Sequence, residues 1–192
     1  MPLTGKKMVI TGAAGGLGAG VARVAKRQGA EVVLLDVVED FQSELGQTFS
    51  VDLTDSDNVE ACFEAIGPFD IVANIAGGFD MGPEVHQTDD ALWDALFDIN
   101  VTTLRRVLSA ATPRLLANGG GRIINVGAVG ALKGGPNMGA YLASKSVVMR
   151  LTESLSEEVK GQGINVNAVL PSVINTARNR QDMPDADFTL WV

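Results

Sequence analysis

The two residues best suited to chemistry, Tyr141 and Lys145, stand four apart in the stretch AYLASK. On a helix that spacing puts both side chains on one face. An ammonium beside a phenol favours the phenolate, lowers the tyrosine pKa from its ordinary value near ~10, and makes proton exchange with a substrate oxygen or nitrogen feasible near neutral pH. The pair alone is a weak signal, because tyrosine and lysine meet at this spacing on many helices that do no chemistry. The sixteen residues from Asn125 to Ala140 contain no serine or threonine. The strand end leading into the pair therefore reads Gly127, Ala128, where a second hydroxyl would be useful.

A second constellation lies near the N-terminus. The apolar run KMVIT at 7 to 11 leads into GAAGGLGAG, with Gly12, Gly16 and Gly18 spaced GxxxGxG and Leu17 between the last two. Glycines there let the backbone turn tightly and approach a pyrophosphate, which sits on the positive end of the following helix. Asp36, closing EVVLLD about 20 positions on, is the acidic residue that such a turn requires. Its carboxylate suits the adenosine ribose hydroxyls and repels a 2′-phosphate. No arginine or lysine stands at Val37 or Val38 to reverse that, so NAD(H) is expected over NADP(H). Asp52, closing TFSVD, is a candidate for the adenine amino group, with a role at a helix N-terminus an equal alternative.

These residues need a scaffold, and the hydrophobic pattern supplies one. Short runs rich in valine and isoleucine fall at 7 to 11, 31 to 36, 48 to 52, 69 to 75, 121 to 126 and 164 to 170. Several are apolar throughout, as strands buried on both faces should be. Helical patterns lie between them at about 16 to 28, 55 to 66, 89 to 117 and 138 to 160, with Thr54 and Thr88 where N-caps are expected. The alternation predicts an α/β domain with a parallel sheet, right-handed crossovers and helices on both faces. The 192 residues suit one domain over 1–192. After the sixth strand, PSVINTARNRQDMPDADFTLWV carries no recognisable strand or long helix.

Composition narrows the partners. A formal charge of -8 repels nucleic acid and anionic membrane surfaces, so neither is expected as a partner. The one cysteine, Cys62, reads as a buried inert thiol in a reducing compartment, the cytoplasm. His86, the only histidine, has no ligand cluster around it, so no metal site is expected and a surface loop is. Phe79, Met81, Met138 and Met183 fall around the cleft expected above the strand ends.

Taken in order along the chain, the glycine-rich turn from Thr11, Asp36, Asp52 with Leu53, Asn74 to Gly77, Asn100, the YxxxK pair and the segment Pro171 to Thr176 resemble the short-chain dehydrogenase/reductase family. The resemblance covers almost the whole chain. It implies a three-layer, doubly wound Rossmann-type sheet with six strands here and the family's seventh absent. It further implies that Tyr141 is the acid/base, that Lys145 binds the nicotinamide ribose and lowers the tyrosine pKa, and that Asn100 holds a water in a proton relay. Gly12, Gly16, Leu17, Gly18, Asp36, Asp52, Leu53, Asn74, Ala76 and Gly77 would line an NAD cofactor, with Ile174 and Thr176 at the carboxamide. The two long helices would pair subunits into a homodimer or homotetramer.

Two positions depart from the family's pattern. Its usual serine, thirteen residues before the tyrosine, is Ala128, and its glycine after Pro171 is Ser172. Losing one such donor costs about 2.7–4 kcal/mol of barrier in acyl-transfer sites. A narrower resemblance, to the dihydropteridine reductase branch, accounts for the first departure: GAVGALKGGPNMGAYLASK, DVVED and AGGF are similar to a branch that also lacks the serine. It implies NADH-dependent reduction of a small conjugated substrate. A general NAD-dependent alcohol or ketone dehydrogenase and a non-catalytic NAD(H)-binding sensor are the alternatives.

Overall fold

The structure, a computed structural model, describes residues 2–192. Its strands are β1 (Lys7–Thr11), β2 (Glu31–Asp36), β3 (Gln47–Ser50), β4 (Ile71–Asn74), β5 (Gly121–Val126) and β6 (Ile164–Val169), all paired in parallel in the order β3-β2-β1-β4-β5-β6. The chain therefore reverses its winding between β1 and β4, and the crevice at that switch point is where ligands bind in open sheets of this kind. The central strands are buried on both faces, β4 throughout. At the edge, β6 alternates buried Ile164 and Val166 with exposed Asn165 and Asn167, so it faces the core on one side only.

Helices α1 (Gly16–Arg27), α2 (Ser56–Ile66), α3 (Asp90–Phe97), α4 (Thr103–Ala117) and α5 (Gly139–Glu158) supply the outer layers. Alternation along β1 and β2 divides the core. Val9, Val33, Leu35, Val72 and Ile123 face Phe63, Leu104, Val107, Leu115 and Val148 of α2, α4 and α5. Met8, Ile10, Val32 and Leu34 face Ala22 and Ala25 of α1. A fully buried leucine or isoleucine contributes roughly 1.5–3 kcal/mol, so this division fixes the register of the central strands β1, β2 and β4. Cys62 is buried in the first cluster, and desolvation pushes its thiol up to about 11, which keeps it protonated.

Three expectations are corrected. The N-caps are Asp55 and Asp89, one residue after the threonines: Asp55 accepts from the N–H groups of Asp57 and Asn58, and Asp89 from Leu92. A carboxylate adds charge to the cap hydrogen bond at the helix's positive end, and the Thr54 hydroxyl is spent on Asp52 instead. The third strand stops at Ser50, so Asp52 lies in the turn beyond it. The helix expected over 89 to 117 is interrupted by a π-helical turn, Asp98–Thr102. The Thr103 hydroxyl takes part in the ladder there, donating to the Ile99 carbonyl at 2.7 Å, and the Thr102 hydroxyl donates to the Asp98 carboxylate at 3.0 Å. The closing segment forms a short helix, α6 (Ala177–Asp182), and a 3-10 turn, Phe188–Leu190.

Candidate active site

One end of the groove is made of backbone. Gly12 holds φ +64°, and a Cβ there would sit 2.8 Å from the Ala76 backbone. A Cβ at Gly18 would stand 2.1 Å from the Gly12 carbonyl, so only glycine lets α1 start this close to the turn. Gly15 caps α1 with no side-chain hydrogen bond, which leaves the first-turn N–H groups directed at whatever occupies the groove. The Asp36 carboxylate accepts from the Ala14 N–H at 2.9 Å and from Val38 at 3.3 Å. The glycine turn and the acidic strand end are thus one unit. Asp52 accepts from both the N–H and the hydroxyl of Thr54, which hold its carboxyl below the usual range, and Leu53 beside it is buried.

The loop after β4 crosses the switch point and is held at three places. The buried Thr11 hydroxyl accepts from the N–H groups of Ile75 and Ala76, both at 3.0 Å. Asn100, in the π-turn, brackets the next glycine: its carbonyl accepts from Gly78 N–H and its amide donates to Gly78 O, each at 3.0 Å. Farther on, Gly82 donates to the Asn137 carbonyl at 2.9 Å. A Cβ on Gly77 would lie 2.7 Å from Asn100 Oδ1 and 3.1 Å from Lys145 Nζ, so glycine is what allows these groups to converge. π-turns concentrate at functional sites because the extra residue re-aims a side chain.

The other end of the groove is made of side chains. Lys145 is 6% exposed on the sheet side of α5 and donates to the Val126 carbonyl at the end of β5, at 3.1 Å. Burial lowers its pKa to about 8. Tyr141 lies one turn earlier with its ring 4.9 Å from that of Phe79 and nearly perpendicular to it, at 89°. Burial raises the phenol above its ordinary value near 10, so the chain by itself does not give the lowered tyrosine pKa expected from the i, i+4 ammonium. The physical reason is desolvation, which penalises the phenolate and the ammonium alike. Ala128 is buried at the end of β5, and the flanking N–H groups of Gly127 and Val129 are committed to the Val169 and Pro171 carbonyls.

After β6 the chain returns over the groove. Thr176 N-caps α6, accepting from Asn179 N–H, and its methyl would lie 2.9 Å from a Cβ on Gly16. Ile174 accepts from Asn179 Nδ2 and from Thr176 N–H. The glycine turn, Asp36, the 74–79 loop, Asn100, Tyr141, Lys145 and Thr176 therefore share one groove above the strand ends. His86 lies on an exposed 3-10 turn, and Phe79 joins the tyrosine as expected.

Several polar residues at the site carried no sequence motif. Ser144 is fully buried, donates to the Tyr141 carbonyl at 2.8 Å and accepts from Asn100 Nδ2 at 3.1 Å, tying the π-turn to α5. Asn125 and Thr152 are buried between β5 and α5. An asparagine inside the apolar run GRIINV was the available signal, since a buried amide must find partners.

The donor set fits a dinucleotide cofactor: a glycine cradle that a Cβ would fill, uncapped helix N–H groups for a pyrophosphate, a carboxylate at the ribose position and a lysine beside Gly77. The short chain dehydrogenase family model matches residues 6–187. Nodulation protein G of Rhizobium meliloti is 34% identical over 91% of this chain and 76% of its own length. Sorbitol dehydrogenase of Cereibacter sphaeroides is 34% identical over 91% of this chain and 73% of its own. A short-chain type dehydrogenase/reductase from Mycobacterium ulcerans superposes with a TM-score of 0.88 over 97% of this chain and 74% of its own, at 24% identity.

Proposed function

This chain belongs to the short-chain dehydrogenase family, an oxidoreductase family, and on that premise we propose that it is an NAD(H)-dependent reductase of a small conjugated, dihydropteridine-like substrate with Tyr141 as proton donor. The observation that carries the substrate class is Ala128: buried, hydroxyl-free, with both flanking N–H groups already used. A simple ketone needs a second donor to polarise its oxygen, whereas a conjugated ring spreads the developing charge itself. When bound, a reduced nicotinamide supplies the hydride. Tyr141 gives its hydroxyl proton to the substrate heteroatom, and the buried Lys145 ammonium stabilises the phenolate left behind. Asn100 and Ser144 fix the positions of Gly78 and of the first turn of α5. Asp36 favours NAD(H), because its carboxylate at the glycine turn repels a 2′-phosphate.

A second reading, an NAD-dependent alcohol or polyol dehydrogenase, is favoured by the sorbitol dehydrogenase likeness. Turnover of quinonoid dihydropterin, simple ketones and sugar alcohols, measured with NADH or NAD and with their phosphorylated counterparts, separates the two. Preference for the conjugated acceptor with NADH is expected. Faster turnover of polyols rejects the conjugated-substrate reading, and a preference for NADPH rejects the role given to Asp36. Binding of NADH with no turnover on any substrate would identify a sensor instead. The family resemblance also has the chain assemble as a homodimer or homotetramer through α4 and α5, and a monomer in light scattering at micromolar concentration removes that claim.

A further inference from the structure

Tyr141, Lys145, Val148 and Thr152 follow one another on α5 at i, i+4, i+7 and i+11, so they form a single stripe facing the sheet. All but Tyr141 are buried, and two of them anchor the helix to β5. Lys145 donates to the Val126 carbonyl, while one residue earlier on the strand Asn125 Nδ2 donates to the Thr152 hydroxyl at 2.8 Å. Asn125 is in turn the acceptor for Asn74 Nδ2 at 2.8 Å, from the residue directly opposite it on β4. The Thr152 hydroxyl in turn donates a hydrogen bond to the Val148 carbonyl at 2.8 Å. A chain of side chains thus runs in one donor direction from β4 through β5 to α5, in the dry interior.

We propose that Thr152, through Asn125 and Asn74, is a positioning residue that sets the register of α5 against β5 and so holds Lys145 on the Val126 carbonyl. Near its first turns α5 is also tied by Asn100 to Ser144 and by Ser146 to the Ala131 carbonyl, but from Val148 onward the contacts beside Thr152 are apolar and carry no directional constraint. A hydrogen bond tolerates sliding less, since it weakens steeply once its angle falls below about 120°, and a buried amide left unpaired costs roughly 1–3 kcal/mol. Asn125 is completely buried, so it has no solvent to fall back on. The two anchors are seven residues apart on the helix and adjacent on the strand, which fixes rotation and translation of α5 together. The catalytic consequence rests on the function proposed above, whereas the structural one does not.

The test compares Thr152→Val, which keeps shape and removes the hydroxyl, with Thr152→Ser, which keeps the hydroxyl. Phe63→Leu, a core change in α2 remote from the site, serves as the control for lost stability. Acylation of lysines by an amine reagent, followed by mass spectrometry, reports the seat of Lys145 without any substrate, with exposed Lys160 as internal reference. Thr152→Val is expected to label several-fold faster at Lys145 and to lower kcat by about tenfold at unchanged substrate KM, because small misplacements of catalytic groups are costly. Thr152→Ser and Phe63→Leu should match the parent protein in both. Parent-like labelling in Thr152→Val, or equal damage in Thr152→Ser, overturns the proposal. If Thr152→Val does not fold, Thr152→Ala makes the same comparison. A Tyr141→Phe variant that still turns over would refute the functional reading while leaving the labelling result as it stands.

Discussion

The two ends of the groove are built from different materials. At the glycine end the binding surface is main chain: Gly12, Gly16 and Gly18 act through the Cβ they lack, and the one side chain that matters, Asp36, is held by the backbone of Ala14. At the tyrosine end the surface is drawn from four places, the 74–79 loop, the π-turn, the end of β5 and α5, and long-range side-chain hydrogen bonds from Asn100, Ser144 and Lys145 hold them together. The first kind of site is made by local sequence and resists most substitutions except those that add an atom. The second is assembled at long range and can be tuned one contact at a time, which is how an alanine can stand at position 128 without disturbing its surroundings.

The contrast can be broken at either end. Tyr141→Phe should lower kcat by about 10²–10⁴-fold, the usual contribution of a general acid, with NADH affinity from fluorescence titration unchanged. Retained turnover would remove the tyrosine from the mechanism. Gly18→Ala should abolish NADH binding, because its methyl would press on the Gly12 carbonyl, while circular dichroism shows a folded sheet. NADH binding at parental strength would mean that the turn can relax. Asp36→Ala should narrow the preference for NADH over NADPH by about tenfold in kcat/KM, a carboxylate-to-phosphate repulsion of roughly 1.4 kcal/mol.

A smaller effect concerns stability. The Lys145 pKa, about 8 in the fold, lies below its ordinary 10.5, so between those values the unfolded chain carries a proton that the folded chain has lost. Stability therefore rises with pH across that window, and below pH 8 the buried ammonium is a cost. Lys145→Met should raise the melting temperature by a few degrees at pH 7, corresponding to about 1–3 kcal/mol, and bring little gain near pH 10.5. It should also be inactive. An unchanged melting temperature at pH 7 would show that Lys145 is not charged and buried as described. Ala128→Ser, the mildest change, should improve ketone turnover relative to a conjugated acceptor, and an equal effect on both would detach the alanine from substrate choice.

Most of the scaffold was legible because parallel strands buried on both faces must be apolar throughout, and a run such as EVVLLD admits little else. Helix boundaries erred where two neighbouring residues could both cap, as at Thr54 and Asp55, and where the chain makes a π-turn at Asp98–Thr102 that hydrophobic periodicity cannot register. The direction of the tyrosine pKa was misjudged for a related reason: spacing shows that a lysine is near, but not how much water both groups lose.

By itself the sequence determined the parallel sheet and the glycine end of the groove, because those depend on periodicity and on atoms that glycine lacks, while the doubly wound order was implied by the family resemblance. Only the tertiary structure decided that Asn100 clamps Gly78, that Ser144 ties the π-turn to the tyrosine's helix, and that Asn125 reaches Thr152. Hydrogen bonds between residues 22 to 51 apart leave no periodic trace along the chain. Their partners are set by where the apolar core brings the strands and helices to rest.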